Sequence, residues 1–111
     1  MIEKPKKTII YIRNQEGELN VIYETLYRLV KLVTRDKRLK LIGVLIDSDS
    51  YVWQRPFLMS MYEAKKLDCI VCEELSELCF NNKTYMEIML LLDKGLDVLA
   101  VDGNGFLMSV K

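Results

Sequence analysis

The stretch "TIIYIRNQEGE", Thr8 to Glu18, decides how the rest of the chain is read. Thr8 to Arg13 is a short run of β-branched and aromatic residues, the composition of a buried strand. It stops abruptly at Arg13, Asn14, Gln15 and Glu16. Open α/β sheets place their chemistry outside the carboxyl ends of their strands. This tip offers no Ser, Cys, His or Asp.

Outward from there, Gly17 opens a helical pattern. Leu19, Ile22, Leu26, Leu29, Val30 and Val33 recur at helical spacing, with Glu24, Arg28, Lys31 and Arg35 on the other side and an end near Asp36. "LKLIGVLI", Leu39 to Ile46, is too short and too β-branched for a helix and stops at "DSDS", so it is a second strand. After a loop holding Tyr51 and Trp53, Pro56 suits a first helical position, and "FLMSMYEAKKL" continues as a helix to Leu67. "DCIVCEE", Asp68 to Glu74, is a third strand ending in acid. Asn82 is placed to cap a helix through "KTYMEIMLLLDK", which Gly95 terminates. "LDVLAVDGNG" supplies a fourth strand and its turn, and "FLMSVK" a short final strand.

Strands alternating with helices predict a three-layer α/β domain: a mainly parallel sheet of four to five strands, helices on both faces, in flavodoxin-like order. The 111 residues suit one domain, half of them apolar, with residues 1–6 as a basic leader. Lys plus Arg equals Asp plus Glu at 16 each, so no overall field draws the chain to nucleic acid or an anionic membrane. No apolar window is long enough to span a bilayer, and no signal peptide stands at the start. A cytoplasmic location without a membrane partner is expected. Cys69, Cys72 and Cys79 sit in or beside apolar sequence. Residues three apart on a strand point to opposite faces, so Cys69 and Cys72 read as buried small hydrophobes rather than a metal pair.

All the strand tips gather on one edge of such a sheet. That edge is acidic, with Glu16, Asp47, Asp49, Glu73, Glu74 and Glu77 against the cations Arg13 and Arg55. Glu16, Asp47 and Asp49 together suit a magnesium-dependent phosphotransfer or nuclease site. The plainer reading makes these carboxylates loop and helix-start residues. With no histidine in the chain, Ser48, Ser50 and Ser76 lack an activating base and are turn or cap residues. A nucleotide-binding loop would need closely spaced glycines after the first strand, where only Gly17 stands. No cofactor is indicated.

Order and spacing across the four strands resemble the resolvase/invertase (serine recombinase) catalytic domain over nearly the whole chain. That family opens with Tyr-x-Arg-Val-Ser-Thr, and "YIRNQE" keeps Tyr11 and Arg13. It then has a strand ending in Asp-x-x-Ser-Gly, matched by Asp47 and Ser50, and an Arg opening the next helix, matched by Arg55 beside Pro56. Asp68 begins the segment that in the family leads to Asp-Arg-Leu-x-Arg. The resemblance implies family-site positions at Arg13, Gln15, Asp47, Ser50 and Arg55, in a domain related to site-specific DNA recombination.

The departures are chemical. Gln15 stands where the nucleophilic serine is expected, and its amide cannot form the phosphoserine link. The Asp-Arg-Leu-x-Arg segment falls on Ser76, Glu77, Leu78, Cys79 and Phe80, so both phosphate-neutralising arginines are gone. The resemblance therefore implies an inactive domain serving as a binding or regulatory module, or a mobile-element relic. A weak local contact with DNA or a protein partner would then be its interaction. The chain ends before the family's long dimer helix and DNA-binding domain, which leaves open a truncated core of a larger recombinase, as monomer or homodimer.

Overall fold

The computed structural model of the chain describes residues 4–14, 18–47, 55–79 and 81–110, without the side chains of Arg55 and Pro56. Its elements are β1 (Lys6–Arg13), α1 (Leu19–Arg35), β2 (Leu39–Asp47), α2 (Arg55–Glu63), β3 (Cys69–Cys72), α3 (Leu75–Leu78), α4 (Asn82–Asp93), β4 (Asp97–Val101) and β5 (Leu107–Ser109). The five strands form one sheet in the order β2-β1-β3-β4-β5. Four run parallel, and β5 returns antiparallel against β4. This is the expected α/β class with a flavodoxin-like strand order.

Alternation along β1 builds two cores. Ile10 and Ile12 point to one face, where they pack with Leu29 and Val33 of α1 and with Cys69 and Val71. Ile9 and Tyr11 point to the other, among Leu58, Cys72, Leu78, Ile88 and Leu91 from α2, β3, α3 and α4. The two strand cysteines thus enter opposite cores, each fully buried, as a spacing of three on a strand requires. Burial pushes the Cys69 thiol up to about 12 and the Cys72 thiol higher still.

Several boundaries differ from the sequence expectation. The second helix ends at Glu63 rather than Leu67. Lys65 takes a φ of 61°, its N–H donates to Tyr62 O at 2.9 Å, and the Lys66 N–H donates to Met61 O at 2.8 Å. That is a Schellman stop with lysine in the place glycine usually fills, and it turns the chain so that Leu67 enters the core. At the end of α4 the same pair of bonds forms around Gly95, at φ 111°, through Gly95 N–H to Leu92 O and Leu96 N–H to Leu91 O. β3 is shorter than expected, and α3 follows it as a separate turn of helix. The cap of α4 is Asn81, not Asn82: its side chain accepts from Thr84 N–H at 2.8 Å while the Thr84 hydroxyl accepts from Asn81 N–H at 3.1 Å.

Candidate functional site

Parallel register carries β1 and β2 to the same edge, with Tyr11 beside Leu45 and Arg13 beside Asp47. Tyr11, Arg13 and Asp47 share the face of the sheet covered by α2 to α4, because residues two apart on a strand point the same way. The Tyr11 hydroxyl donates to Asp47 Oδ2 at 2.7 Å. Arg13 Nη1 donates to the Tyr11 oxygen at 3.4 Å and stands 4.0 Å from Asp47 Oδ2. The Arg13 side chain is 4% exposed and that of Asp47 is buried outright. Burial first, and the hydrogen bond to Asp47 second, hold the Tyr11 phenol far above its ordinary value. The hydroxyl is therefore a fixed donor and not a nucleophile at neutral pH.

Glu77 closes this tip from the side. One carboxylate oxygen accepts from the Arg13 backbone N–H at 3.3 Å, and the other accepts from the Glu74 N–H at 3.0 Å. Glu74 returns a side-chain bond to the N–H of Glu77, so the two form a capping box at the start of α3. Burial raises the Glu77 carboxyl above the usual glutamate range, against the pull of its backbone donors. Glu73 is taken up by Arg28 of α1 in an ion pair of 2.8 Å. Asp102 serves the β4–β5 turn, accepting from Asn104 N–H at 2.8 Å and Phe106 N–H at 3.0 Å.

Of the residues singled out from the sequence, Arg13 and Asp47 lie together at the strand tips. Gln15, Glu16, Asp49 and Ser50 lie outside the described residues, as do Gly17, Phe80, the Tyr51 to Trp53 segment and the side chain of Arg55. For the magnesium reading, Asp47 is the one described member, and its Oδ2 is engaged by Tyr11 in the interior. Among the described residues no three side chains of metal-ligating type converge. The role of Glu77 as double acceptor was not foreseen. The Glu74-x-x-Glu77 spacing ahead of an apolar pair was its signal.

A depression of about 770 Å³ lies at the opposite end of the sheet, lined by Lys4, Lys6, Lys7, Lys40, Tyr62 and Asp97 among others. It is far from the strand tips, and its charges are partly spent internally. Lys6 pairs with Asp97, and Lys7 Nζ donates to Lys65 O. The C-terminal end of α1 also lies on this side, with Arg35 in its last turn to offset the partial negative charge.

No known family model matches this chain, and no curated protein sequence matches it either. Among the described residues no helix is long and apolar enough to cross a membrane. The chemistry of the site therefore rests on its own geometry. It is a buried Arg-Tyr-Asp cluster, tied down by a carboxylate, with each named polar group engaged by a neighbour.

Proposed function

We propose that this chain is a resolvase-like, serine-recombinase-type domain that has lost catalysis and acts as a binding or regulatory module. The observation that carries this reading is Glu77. A carboxylate holds the tip of β1 at the position where the resemblance expects an arginine to neutralise the scissile phosphate. Gln15, aligned with the nucleophile, has no chemistry for a phosphodiester exchange. Arg13 and Asp47, which the resemblance places in the site, spend their polarity on each other and on Tyr11. What the fold then offers a partner is its surface, through weak local contact with DNA or through a protein.

The test is incubation of the purified protein with supercoiled and nicked DNA, followed by protease digestion. No DNA-linked residue should survive. A protease-resistant covalent adduct refutes the reading. Fluorescence anisotropy with duplex DNA at low salt, where phosphate contacts are strongest, then separates a DNA-contacting module from a protein-binding one.

A further inference from the structure

β2 has the sequence of an interior strand and the position of an edge. From Leu41 to Ile46 it reads LIGVLI without a charge, the continuous apolar run of a strand covered on both faces. Yet among the described residues it ends the sheet, bonded to β1 alone. Ile42 and Ile46 are 38% and 40% exposed as a result.

Two hydrogen bonds set the phase of its backbone. The Lys6 N–H donates to Arg38 O at 2.7 Å, and the Asn14 N–H donates to Asp47 O at 3.0 Å. Backbone groups alternate in direction along a parallel ladder, so Leu45 and Asp47 turn theirs toward β1 while Val44 and Ile46 turn theirs outward. Among the described residues no hydrogen bond reaches those outward groups. The register shift between Thr8 and Ile9 puts a bulge at Ile42, after which pairing is regular from Gly43 to Asp47. A bulge guards a strand edge, and here it leaves that last stretch open.

We propose that β2 pairs with β2 of a second copy of this chain, antiparallel about a two-fold axis, joining the two sheets edge to edge. Identical strands related by a two-fold axis run antiparallel and close the assembly at a dimer. Val44 of each copy lies opposite Ile46 of the other, so their outward N–H and C=O groups satisfy one another in the regular stretch beyond the bulge. The occupant is a second copy because the other sheet edge, β5, has three residues against nine in β2. A head-to-tail chain of β2 on β5 would gain little ladder. Net charge of zero removes the repulsion that would keep two copies apart.

Light scattering over a dilution series tests this, alongside amide hydrogen exchange read residue by residue. The unaltered protein should approach twice 13.0 kDa at high concentration. The Val44 and Ile46 amides should be protected there and lose protection on dilution, while Leu45, bonded to β1, stays protected throughout. Ile46→Lys puts a charge on the open edge and should weaken association by about tenfold or more. If that variant fails to fold by circular dichroism, the exchange data on the unaltered protein decide. A monomer across the series, a mass that grows past the dimer, or a dimer whose Val44 and Ile46 amides exchange as fast as in the monomer overturns the proposal.

Discussion

Replacing Tyr11 with Phe keeps the ring that fills the core and deletes only the hydroxyl that lies 2.7 Å from Asp47 Oδ2. Tyr11 is fully buried, so no water can take over the bond. A buried hydrogen bond to a charged group contributes about 1.5–3 kcal/mol, and Tyr11→Phe should lose roughly 2 kcal/mol on that scale. Asp47→Asn keeps the shape and removes the charge that stands 4.0 Å from Arg13 Nη1. At that distance the attraction is about 4 kcal/mol for an effective dielectric near 20. Relief of the buried carboxylate's desolvation offsets part of this, leaving a loss of about 2–3 kcal/mol.

The two changes share one oxygen, so they should not add. The double variant is expected to lose about 1–2 kcal/mol less than the sum of the singles. Urea unfolding followed by circular dichroism reads this as a lower midpoint at unchanged slope. Against a total stability of about 5–15 kcal/mol for a small domain, each single change is easily resolved. Strict additivity, or Tyr11→Phe within about 0.5 kcal/mol of the unaltered protein, would refute the cluster as a structural unit. A stabilised Asp47→Asn would go further. It would mean that Arg13 and Asp47 are held together against stability, the signature of a site kept for chemistry.

The remaining expectations concern single groups. Burial raises the Glu77 carboxyl, so the folded state binds that proton more tightly than the unfolded chain, and its contribution to stability falls as pH climbs from the ordinary glutamate value through the raised one. Urea midpoints at a series of pH values should show the advantage of the unaltered protein over Glu77→Gln shrinking across that window; a constant difference contradicts it. Cys69 and Cys72 should resist a thiol reagent at mildly alkaline pH while Cys79, only partly buried, reacts first, as mass spectrometry would resolve. Asn81→Ala should cost about 1 kcal/mol in the urea midpoint by uncapping α4, with Asn81→Asp nearly neutral.

Much of the architecture is legible because periodicity is a physical constraint. Apolar residues at helical spacing predict α1 to within a residue of its observed end at Arg35, and the β1 tip is marked by the abrupt change at Arg13. What stays hidden depends on tertiary choice. Lys65 carries no signal that it will adopt a left-handed turn, so the end of α2 is missed by four residues, between Glu63 and Leu67. The apolar run of β2 reads as interior, and only the strand order reveals an edge. Asn81 and Asn82 are chemically alike, and the choice between them turns on Thr84 lying three residues after Asn81. The meeting of Arg13 and Asp47 follows from two strand tips in parallel register, whereas the grip of Glu77 on the β1 backbone needed the turn of α3 to be seen.

That grip bears on whether this strand tip could take on the positive charge that the proposed reading finds missing, by one substitution. Glu77→Arg would supply the cation the resemblance calls for. It would also remove the acceptor for two backbone donors, the N–H of Arg13 and the N–H of Glu74. The part-buried Arg13 N–H left unsatisfied costs about 1–3 kcal/mol, whereas the exposed Glu74 N–H can turn to water at the loss of its capping bond. A second guanidinium would also arrive on the tip that already holds Arg13. The variant should therefore unfold at markedly lower urea than Glu77→Gln, whose amide oxygen keeps one acceptor, and DNA binding at low salt should rise little in what remains folded. An Arg variant as stable as the unaltered protein would show that the carboxylate is incidental. If the loss is as large as these bonds imply, the Glu77 carboxylate holds the strand tip together, and its replacement by a cation needs a compensating change elsewhere in the fold.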